Sequence, residues 1–154
     1  MQLSEIVRSE AVRPFSVLTS KKRLFQHLGE IAAEAYGLEE AEVVAALHER
    51  ESLGPTAVGG GVALPHARVT GLDRVAGMMI RLDEPIEFGA ADRQPVDLIF
   101  GLLAPHGAGL DHLRALASVA RTLRDGNVCH KLRANTDPVK LHAILTEARA
   151  SQAA

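Results

Sequence analysis

The sequence predicts an α/β domain in which helices flank a cluster of β-strands. Two observations support this fold class: apolar residues recur at helical spacing towards both ends of the chain, and short apolar runs bounded by Gly, Pro and Asp fill the middle. The length of 154 residues suits one ordinary domain, and no repeat or linker divides it. We therefore expect a single domain over residues 1–154.

Two helices are predicted in the first third of the chain. Ser20 is suited to cap a helix over residues 21–36, and Gly37 stands where a glycine ends a helix. A second helix follows through EEAEVVAALHERES (39–52) and ends near Gly54. The apolar face of the first helix consists of Leu24, Phe25, Leu28, Ile31, Ala32, Ala35 and Tyr36.

The middle of the chain predicts strands. The runs are VALPH (62–66), RVAGMMIRL (74–82) and VDLIFGLLAP (96–105), and the last is almost continuously apolar, as in a central strand covered on both faces. The Gly- and Pro-rich residues 54–61 before them predict a loop.

The C-terminal third returns to helical spacing. One predicted helix has the apolar stripe Leu113, Leu116, Ala120 and Leu123, and it ends at Asp125-Gly126-Asn127. A last helix begins at Asp137-Pro138, where proline suits the first helical position. Its predicted buried face is Leu141, Ile144, Leu145 and Ala148.

Composition limits the class of partner. The net charge of −2 and the pI of about 6.4 give no bulk attraction to nucleic acid or to anionic membranes. Aromatic residues make up 3% and tryptophan is absent, which argues against stacking platforms for single-stranded nucleic acid. The N-terminal sequence lacks a signal pattern, no apolar run approaches a membrane span, and the single cysteine fits a reducing compartment. We expect a cytoplasmic protein with no membrane insertion.

The segment VGGGVALPHAR (58–68) raises the question of function, because a proline and then His66 follow an apolar run. A phosphate-binding loop would need Lys-Ser/Thr and a helix after its last glycine, and here Val-Ala-Leu-Pro follows Gly61. A zinc site would need His66, His106 and His112 to converge, although none of their spacings is that of a zinc-binding helix. Neither reading is favoured by the pattern.

A third reading makes His66 a nucleophile for a phosphoryl group. A neutral imidazole attacks well near neutral pH, and the resulting negative charge needs donors around it. Arg50 and Arg68 are candidate donors, and His112 lies at a predicted helix start, where free N–H groups favour an anion. The alternative from the residues alone is that His66 is a hydrogen-bonded surface histidine and Arg50 belongs to a solvated helix face.

The motifs themselves resemble a known family. RESLGPTAVGGGVALPHAR (50–68) is similar to the active-site segment of the phosphotransferase-system IIA domains of the fructose–mannitol type. QPVDLIFGLLAP (94–105) and DHLRALASVARTLRD (111–125) look like that family's central strand and the helix of its second histidine. SKKRLFQHLGEIAA (20–33) is closer to the nitrogen-regulatory branch than to the sugar-specific one. The resemblance extends from about Leu3 to Leu145.

The resemblance implies a mannitol-type IIA fold with a mixed β-sheet, a core at about residues 3–148, and chemistry without metal or cofactor. His66 matches the phosphoryl acceptor, modified at Nε2 by a histidine-containing phosphocarrier protein (HPr-like). His112 matches the histidine that supports the phosphoryl group, and Arg50 the arginine that stabilises its charge. Thr56, Gly60, Gly61 and Arg68 are expected in the phosphate-site loop, where the glycines would bring backbone close to the ring.

Two departures from the family pattern affect this loop. Pro55 replaces the usual serine of Gly-Ser-Thr, which removes a hydroxyl and a backbone donor, and Ala67 follows the acceptor in place of the commoner glycine. Neither change removes the nucleophile.

The implied function is a phosphoryl-relay regulator of the nitrogen-related phosphotransferase system. Its phosphorylation state would control target proteins such as potassium-transport proteins or sensor kinases. Two alternatives remain open: a sugar-specific IIA component that passes phosphate to a membrane permease, and a non-catalytic binding module of the same fold.

Overall fold

A mixed β-sheet forms the centre of the molecule, as expected for the mannitol-type IIA fold. The computed structural model describes residues 1–153, and the side chains of residues 1–147. Within this part of the chain there are six strands, in the order β1-β5-β6-β3-β2, with β4 also paired to β6. Their bounds are β1 Val7–Phe15, β2 Ala57–Gly59, β3 Val62–Ala63, β4 His66–Val69, β5 Ala76–Ile86 and β6 Val96–Pro105.

The pairings explain why the sheet is mixed. β1 lies parallel to β5, and β5 lies antiparallel to β6. β3 and β4 are both parallel to β6, and β2 returns antiparallel to β3. β5 and β6 are buried over nearly their whole length, so elements cover both faces of the central strands.

Helices cover the sheet. Those in the described residues are α1 Lys21–Tyr36, α2 Glu40–Ser52, α3 Leu110–Arg124, α4 Gly126–Arg133 and α5 Pro138–Ala153, after a short 3-10 turn at Leu3–Glu5. The predicted α1 is confirmed with both ends: the Ser20 hydroxyl accepts from Arg23 N–H, and Gly37 has the left-handed φ of 68°. Its predicted face is buried, with Tyr36 half-buried. α2 and the start of α5 also lie where the spacing predicts.

The predicted strand VALPH is divided in two. β3 ends at Ala63, the chain crosses at Leu64-Pro65, and β4 begins with His66 itself. The expectation that His66 follows the end of a strand was therefore wrong in detail. Proline has no N–H for the ladder, and the break falls at that residue.

Three further elements were not predicted: β1, β2 within the expected loop, and α4 directly after the predicted helix end. The predicted stripe of α3 is also out of phase. Leu113 is exposed, Leu116 and Ala120 are half-buried, and the buried residues of α3 are His112, Ala115, Ser118, Val119, Thr122 and Leu123. On α5, Leu141 and Leu145 are buried and Ile144 is half-buried, whereas the side chain of Ala148 lies outside the described residues.

None of the helices in the described part of the chain combines the length and the apolar character needed to cross a bilayer.

Candidate functional site

His66 is held by a hydrogen bond to the chain immediately before it. Its Nδ1 lies 2.8 Å from the carbonyl oxygen of Leu64, and the side chain is half-buried. A carbonyl oxygen only accepts, so Nδ1 must carry the proton. The Nε2 atom then has a free lone pair, and none of the described residues hydrogen bonds to it. The geometry therefore defines which nitrogen of His66 has a free lone pair.

His112 faces His66 from the first turn of α3. The two rings meet edge to face, with 5.7 Å between their centroids. His112 is 8% exposed, and its Nε2 is buried without a hydrogen-bond partner among the described residues. Burial lowers the pKa of His112 below its ordinary value, and the charges of His66 and Arg68 lower it further. His112 is therefore neutral at pH 7, with one ring nitrogen available to a ligand.

Two arginines lie beside the histidines. Arg50 is in the last turn of α2, and its Nη1 donates to Gly54 O at 3.1 Å. Arg68 is two residues after His66 on β4, and its Nη1 donates to His106 O at 2.8 Å. Each guanidinium has further N–H groups, which suit them to bind an anion.

These four side chains line one open pocket of about 310 Å³. The other residues that line it are Ala46, Glu49, Leu53 and Ala67. The structure therefore brings Arg50, Arg68, His66 and His112 together, and the roles expected of them stay predictions. A ring with a free Nε2, a second imidazole and two guanidiniums can accept a phosphoryl group and stabilise its charge.

The predicted phosphate-site loop does not gather around this pocket. Gly60 and Gly61 form the turn between β2 and β3, directly after Gly59 at the end of β2, and all three have positive φ. The Gly60 N–H donates to Asp92 Oδ2 at 3.0 Å, and its carbonyl accepts from Arg133 Nη2 at 2.7 Å.

The sheet register separates this turn from His66. Gly61 O accepts from Leu98 N on β6, whereas His66 pairs with Leu102. The two positions on β6 are four residue steps apart, about 13 Å at 3.3 Å per residue. The expected approach of glycine backbone to the ring is therefore wrong: these glycines make a hairpin turn.

Thr56 is also absent from the residues that line the pocket. It is buried, and its hydroxyl donates to Glu51 Oε1 at 2.6 Å. His106 reaches the site only through its backbone carbonyl, which accepts from Arg68. Among the described residues, no three His, Cys, Asp or Glu side chains converge as a metal site would require.

Sequence reasoning missed two features of the site. One is the Leu64 carbonyl that accepts the hydrogen bond of His66. Every residue has a backbone carbonyl, so the residue types give no sign of which one is the partner. The other is a set of exposed leucines at the site: Leu53 in the pocket, 81% exposed, and Leu110 and Leu113 on α3, 64% and 62% exposed. Of these three, Leu113 was predicted as a core residue, because a buried leucine and an exposed one look alike in a sequence.

Comparison with known proteins agrees with this geometry. Residues 5–148 match the family model described as phosphoenolpyruvate-dependent sugar phosphotransferase system, EIIA 2. A nitrogen regulatory protein of Bradyrhizobium diazoefficiens is 48% identical over 145 residues, which cover 94% of this chain and 95% of that protein. A nitrogen regulatory protein of Escherichia coli K12 is 37% identical, with 96% and 91% of the two chains covered.

Solved structures give the same result. The nitrogen regulatory protein IIA-Ntr from Neisseria meningitidis superposes with a TM-score of 0.85 at 37% identity, covering 94% of this chain and 99% of that one. The IIA mannitol protein of Escherichia coli shares the fold, with a TM-score of 0.73 at 24% identity over 90% and 97% of the chains. The chain thus belongs to the EIIA type 2 family of the phosphoenolpyruvate-dependent sugar phosphotransferase system, and within it to the nitrogen-regulatory branch.

Proposed function

We propose that this protein accepts a phosphoryl group on His66 Nε2 from a histidine-containing phosphocarrier protein in the cytoplasm. The observation that carries the proposal is the hydrogen bond from His66 Nδ1 to Leu64 O, which leaves Nε2 as a fixed, unprotonated nucleophile at an open pocket. Family membership supports it, since IIA components act as phosphoryl carriers.

The transfer step needs little from the protein beyond position and charge. The Nε2 lone pair forms the new N–P bond while the N–P bond of the carrier breaks, and the bonding pair returns to the carrier imidazole. The proton stays on Nδ1 and is still donated to the Leu64 carbonyl, so the product imidazole keeps its hydrogen bond. Arg50, Arg68 and the Nε2 of His112 would bind the phosphoryl oxygens.

The exposed leucines support an interaction with a protein partner. Leu53 lies in the pocket, and Leu110 and Leu113 are one turn apart on the helix that carries His112. Apolar side chains around a charged centre suit a protein interface that must exclude water from the transfer. We propose that the carrier binds there.

The output of the phosphorylated protein is proposed to be regulatory. Relatives called nitrogen regulatory protein cover nearly the whole chain, which favours this output over transfer to a sugar permease. Phosphorylation adds negative charge at an accessible pocket and can therefore alter binding of targets, for which we propose potassium-transport proteins or sensor kinases.

The proposal is tested by incubating the protein with phosphoenolpyruvate, enzyme I and the carrier from the same organism. Intact mass should increase by one acid-labile phosphoryl group in the wild type and not in His66→Ala. His130→Ala is the matched control, because that histidine is exposed on α4 outside the residues that line the pocket. An unmodified wild type, or a modified His66→Ala, contradicts the proposal.

The choice of output is tested separately. The phosphorylated and unphosphorylated forms are compared for binding to the candidate targets, and the phosphorylated form is mixed with a fructose or mannitol permease. Binding that depends on phosphorylation supports the regulatory output. Transfer of the phosphoryl group to the permease at a rate comparable with the carrier step supports the sugar-specific alternative instead.

A further inference from the structure

We propose that Glu51 is a positioning residue for His66, acting through Thr56 and Leu64. The expected effect on the phosphorylation rate rests on the proposed function. The expected effect on the tautomer of His66 does not. The family resemblance led us to expect Thr56 in the phosphate-site loop, whereas its contacts indicate a different role.

Glu51 is a carboxylate with almost no access to solvent. It is in the last turn of α2, and its side chain is only 6% exposed. Thr56 donates to it twice: the hydroxyl to Oε1 at 2.6 Å and the N–H to Oε2 at 3.0 Å. Lys21 Nζ, 2.9 Å from Oε2, provides the compensating charge and also lies 4.2 Å from the ring centroid of Phe88. A buried carboxylate with these partners fixes the peptide at Thr56.

From Thr56 the hydrogen bonds lead to the nucleophile. Thr56 O accepts from Leu64 N–H at 3.0 Å. The carbonyl of the same residue, Leu64, accepts the Nδ1 proton of His66 at 2.8 Å. Leu64 is therefore held on its N–H side by Thr56 and places its carbonyl under the imidazole. Since that carbonyl selects the tautomer, the orientation of Leu64 determines whether Nε2 has a free lone pair.

The chain also contains a matched control. Glu42, on the same helix, accepts both from Thr70 N–H at 2.6 Å and from the Thr70 hydroxyl at 2.8 Å. In both pairs a glutamate carboxylate accepts from the N–H and the hydroxyl of a threonine. Among the described residues, no hydrogen bond connects the Glu42–Thr70 pair to Leu64. A generic loss of a carboxylate–threonine contact on α2 can thus be separated from the specific effect on His66.

The test combines a spectroscopic readout with a rate. Four variants are made in the full chain: Glu51→Gln, Thr56→Val, Thr56→Ser and Glu42→Gln. The tautomer of His66 is read from long-range ¹H–¹⁵N correlations of its imidazole at a pH where the ring is neutral. Single-turnover phosphorylation by the phosphorylated carrier is measured for each variant.

We expect the wild type, Thr56→Ser and Glu42→Gln to have His66 protonated at Nδ1. Glu51→Gln and Thr56→Val should show a mixture of tautomers and a rate lowered roughly tenfold at saturating carrier, with little change in KM. If Glu51→Gln fails to fold, Thr56→Val decides, because it keeps the shape of the side chain and removes one hydrogen bond.

An unchanged tautomer in a folded Glu51→Gln or Thr56→Val overturns the proposal, since pairing of β4 with β6 would then suffice to hold Leu64. An equal change in Glu42→Gln overturns it as well. If the wild type is not phosphorylated at all, the proposed function fails, and the tautomer measurement still decides the role of Glu51.

Discussion

The ring centroids of His112 and His66 lie 5.7 Å apart, and the Nε2 of His112 is buried with no hydrogen-bond partner in the described part of the chain. A buried polar atom without a partner costs free energy, commonly about 1–3 kcal/mol, so a site retains one where a ligand later satisfies it. In this pocket the incoming group would be the phosphoryl group on His66. Under the proposed function, phosphorylation of His66 would therefore complete the site.

The first prediction concerns the contribution of His112 to the rate. In the proposed transfer, His112 would contact the phosphoryl oxygens mainly while they pass from the carrier imidazole to His66, and His112→Ala removes that contact. We expect the rate of phosphorylation at saturating carrier to fall about 10²-fold, with a smaller change in KM. Rapid-quench measurement of phosphorylated protein against time gives both constants. A rate within twofold of the wild type would show that the second imidazole does not support the transfer.

The second prediction concerns the titration of His112. Its pKa lies below the ordinary histidine value of about 6.5, mainly because the ring is buried. The unfolded chain therefore binds the proton more readily than the folded one, so this histidine makes stability fall as pH drops from about 6.5 towards the pKa of the folded state. Negative charge on His66 would oppose this effect and raise the pKa of His112.

Both parts of this prediction can be measured. Urea unfolding at pH 7.5 and at lower pH should show a loss of stability in the wild type that is smaller in His112→Gln, whose amide does not titrate. NMR titration should place the midpoint of His112 below 6.5 before phosphorylation and higher after it. A midpoint at or above 6.5 in the unphosphorylated protein would contradict the prediction.

The third prediction concerns the guanidinium of Arg50. Its Nη1 donates to Gly54 O at 3.1 Å, which holds the side chain at the pocket and leaves other N–H groups for an anion. Arg50→Ala should lower the transfer rate about 10²-fold, and Arg50→Lys should recover only part of it, because lysine keeps the charge but lacks the planar fork.

The control for Arg50 is Arg13→Ala. Arg13 is on β1 and pairs with Glu34, away from the residues that line the pocket. Its rate should stay at the wild-type level. Full activity in Arg50→Ala would instead assign charge stabilisation to Arg68 alone.

The sequence predicted the helix α1 better than it predicted the sheet. Helix α1 was predicted with correct ends because its signals are local: Ser20 and Gly37 adjoin the helix they terminate. Strand β1 gave no such signal, since it is an edge strand with several exposed polar residues, and its pairing with β5 joins segments far apart in the chain. Local propensity carries no information on that pairing.

The errors around α3 are those that the proposed docking surface would cause. Periodicity assigned Leu113 to the core, whereas His112 takes the buried position and Leu113 faces solvent. Apolar periodicity assumes that every apolar residue is buried within its own chain, and a surface that binds a partner breaks this assumption. Gly60 and Gly61 were misplaced for a different reason. They are close to His66 in the sequence, which suggested a phosphate-site loop, but the sheet register separates them from it.

The fourth prediction tests the docking surface. Leu53→Ser and Leu113→Ser each remove an exposed apolar side chain at the site without touching the core. We expect KM for the carrier to rise by roughly 3- to 30-fold in each, with kcat little changed, because the contact is made equally before and during transfer.

Val139→Ser is the control for the leucine variants. Val139 is 72% exposed on α5 and is not among the residues that line the pocket. Its KM should equal that of the wild type. A rise in KM for all three variants would show that any loss of an exposed apolar side chain weakens binding. An unchanged KM for both leucine variants would show that the carrier binds elsewhere on the surface.

The last prediction concerns the packing that supports the site from β5. Gly77 lies beside Leu102 of β6, and Leu102 also pairs with His66, so these three residues form one row across the sheet. A Cβ at position 77 would stand 2.6 Å from Phe100 Cζ and 3.0 Å from Ile6 Cγ2. Phe100 is fully buried and has no space into which it can move. Gly77→Ala should therefore lower the free energy of unfolding by about 1–3 kcal/mol.

Gly107→Ala provides the comparison, since no atom lies within 4 Å of its Cβ position. Urea unfolding should give it a stability within about 0.5 kcal/mol of the wild type, as for ordinary surface changes. A similar loss in both variants would mean that the backbone freedom of glycine, rather than contact with Phe100, determines the effect. An unchanged free energy of unfolding in Gly77→Ala would show that Phe100 can move aside to accommodate the added methyl group.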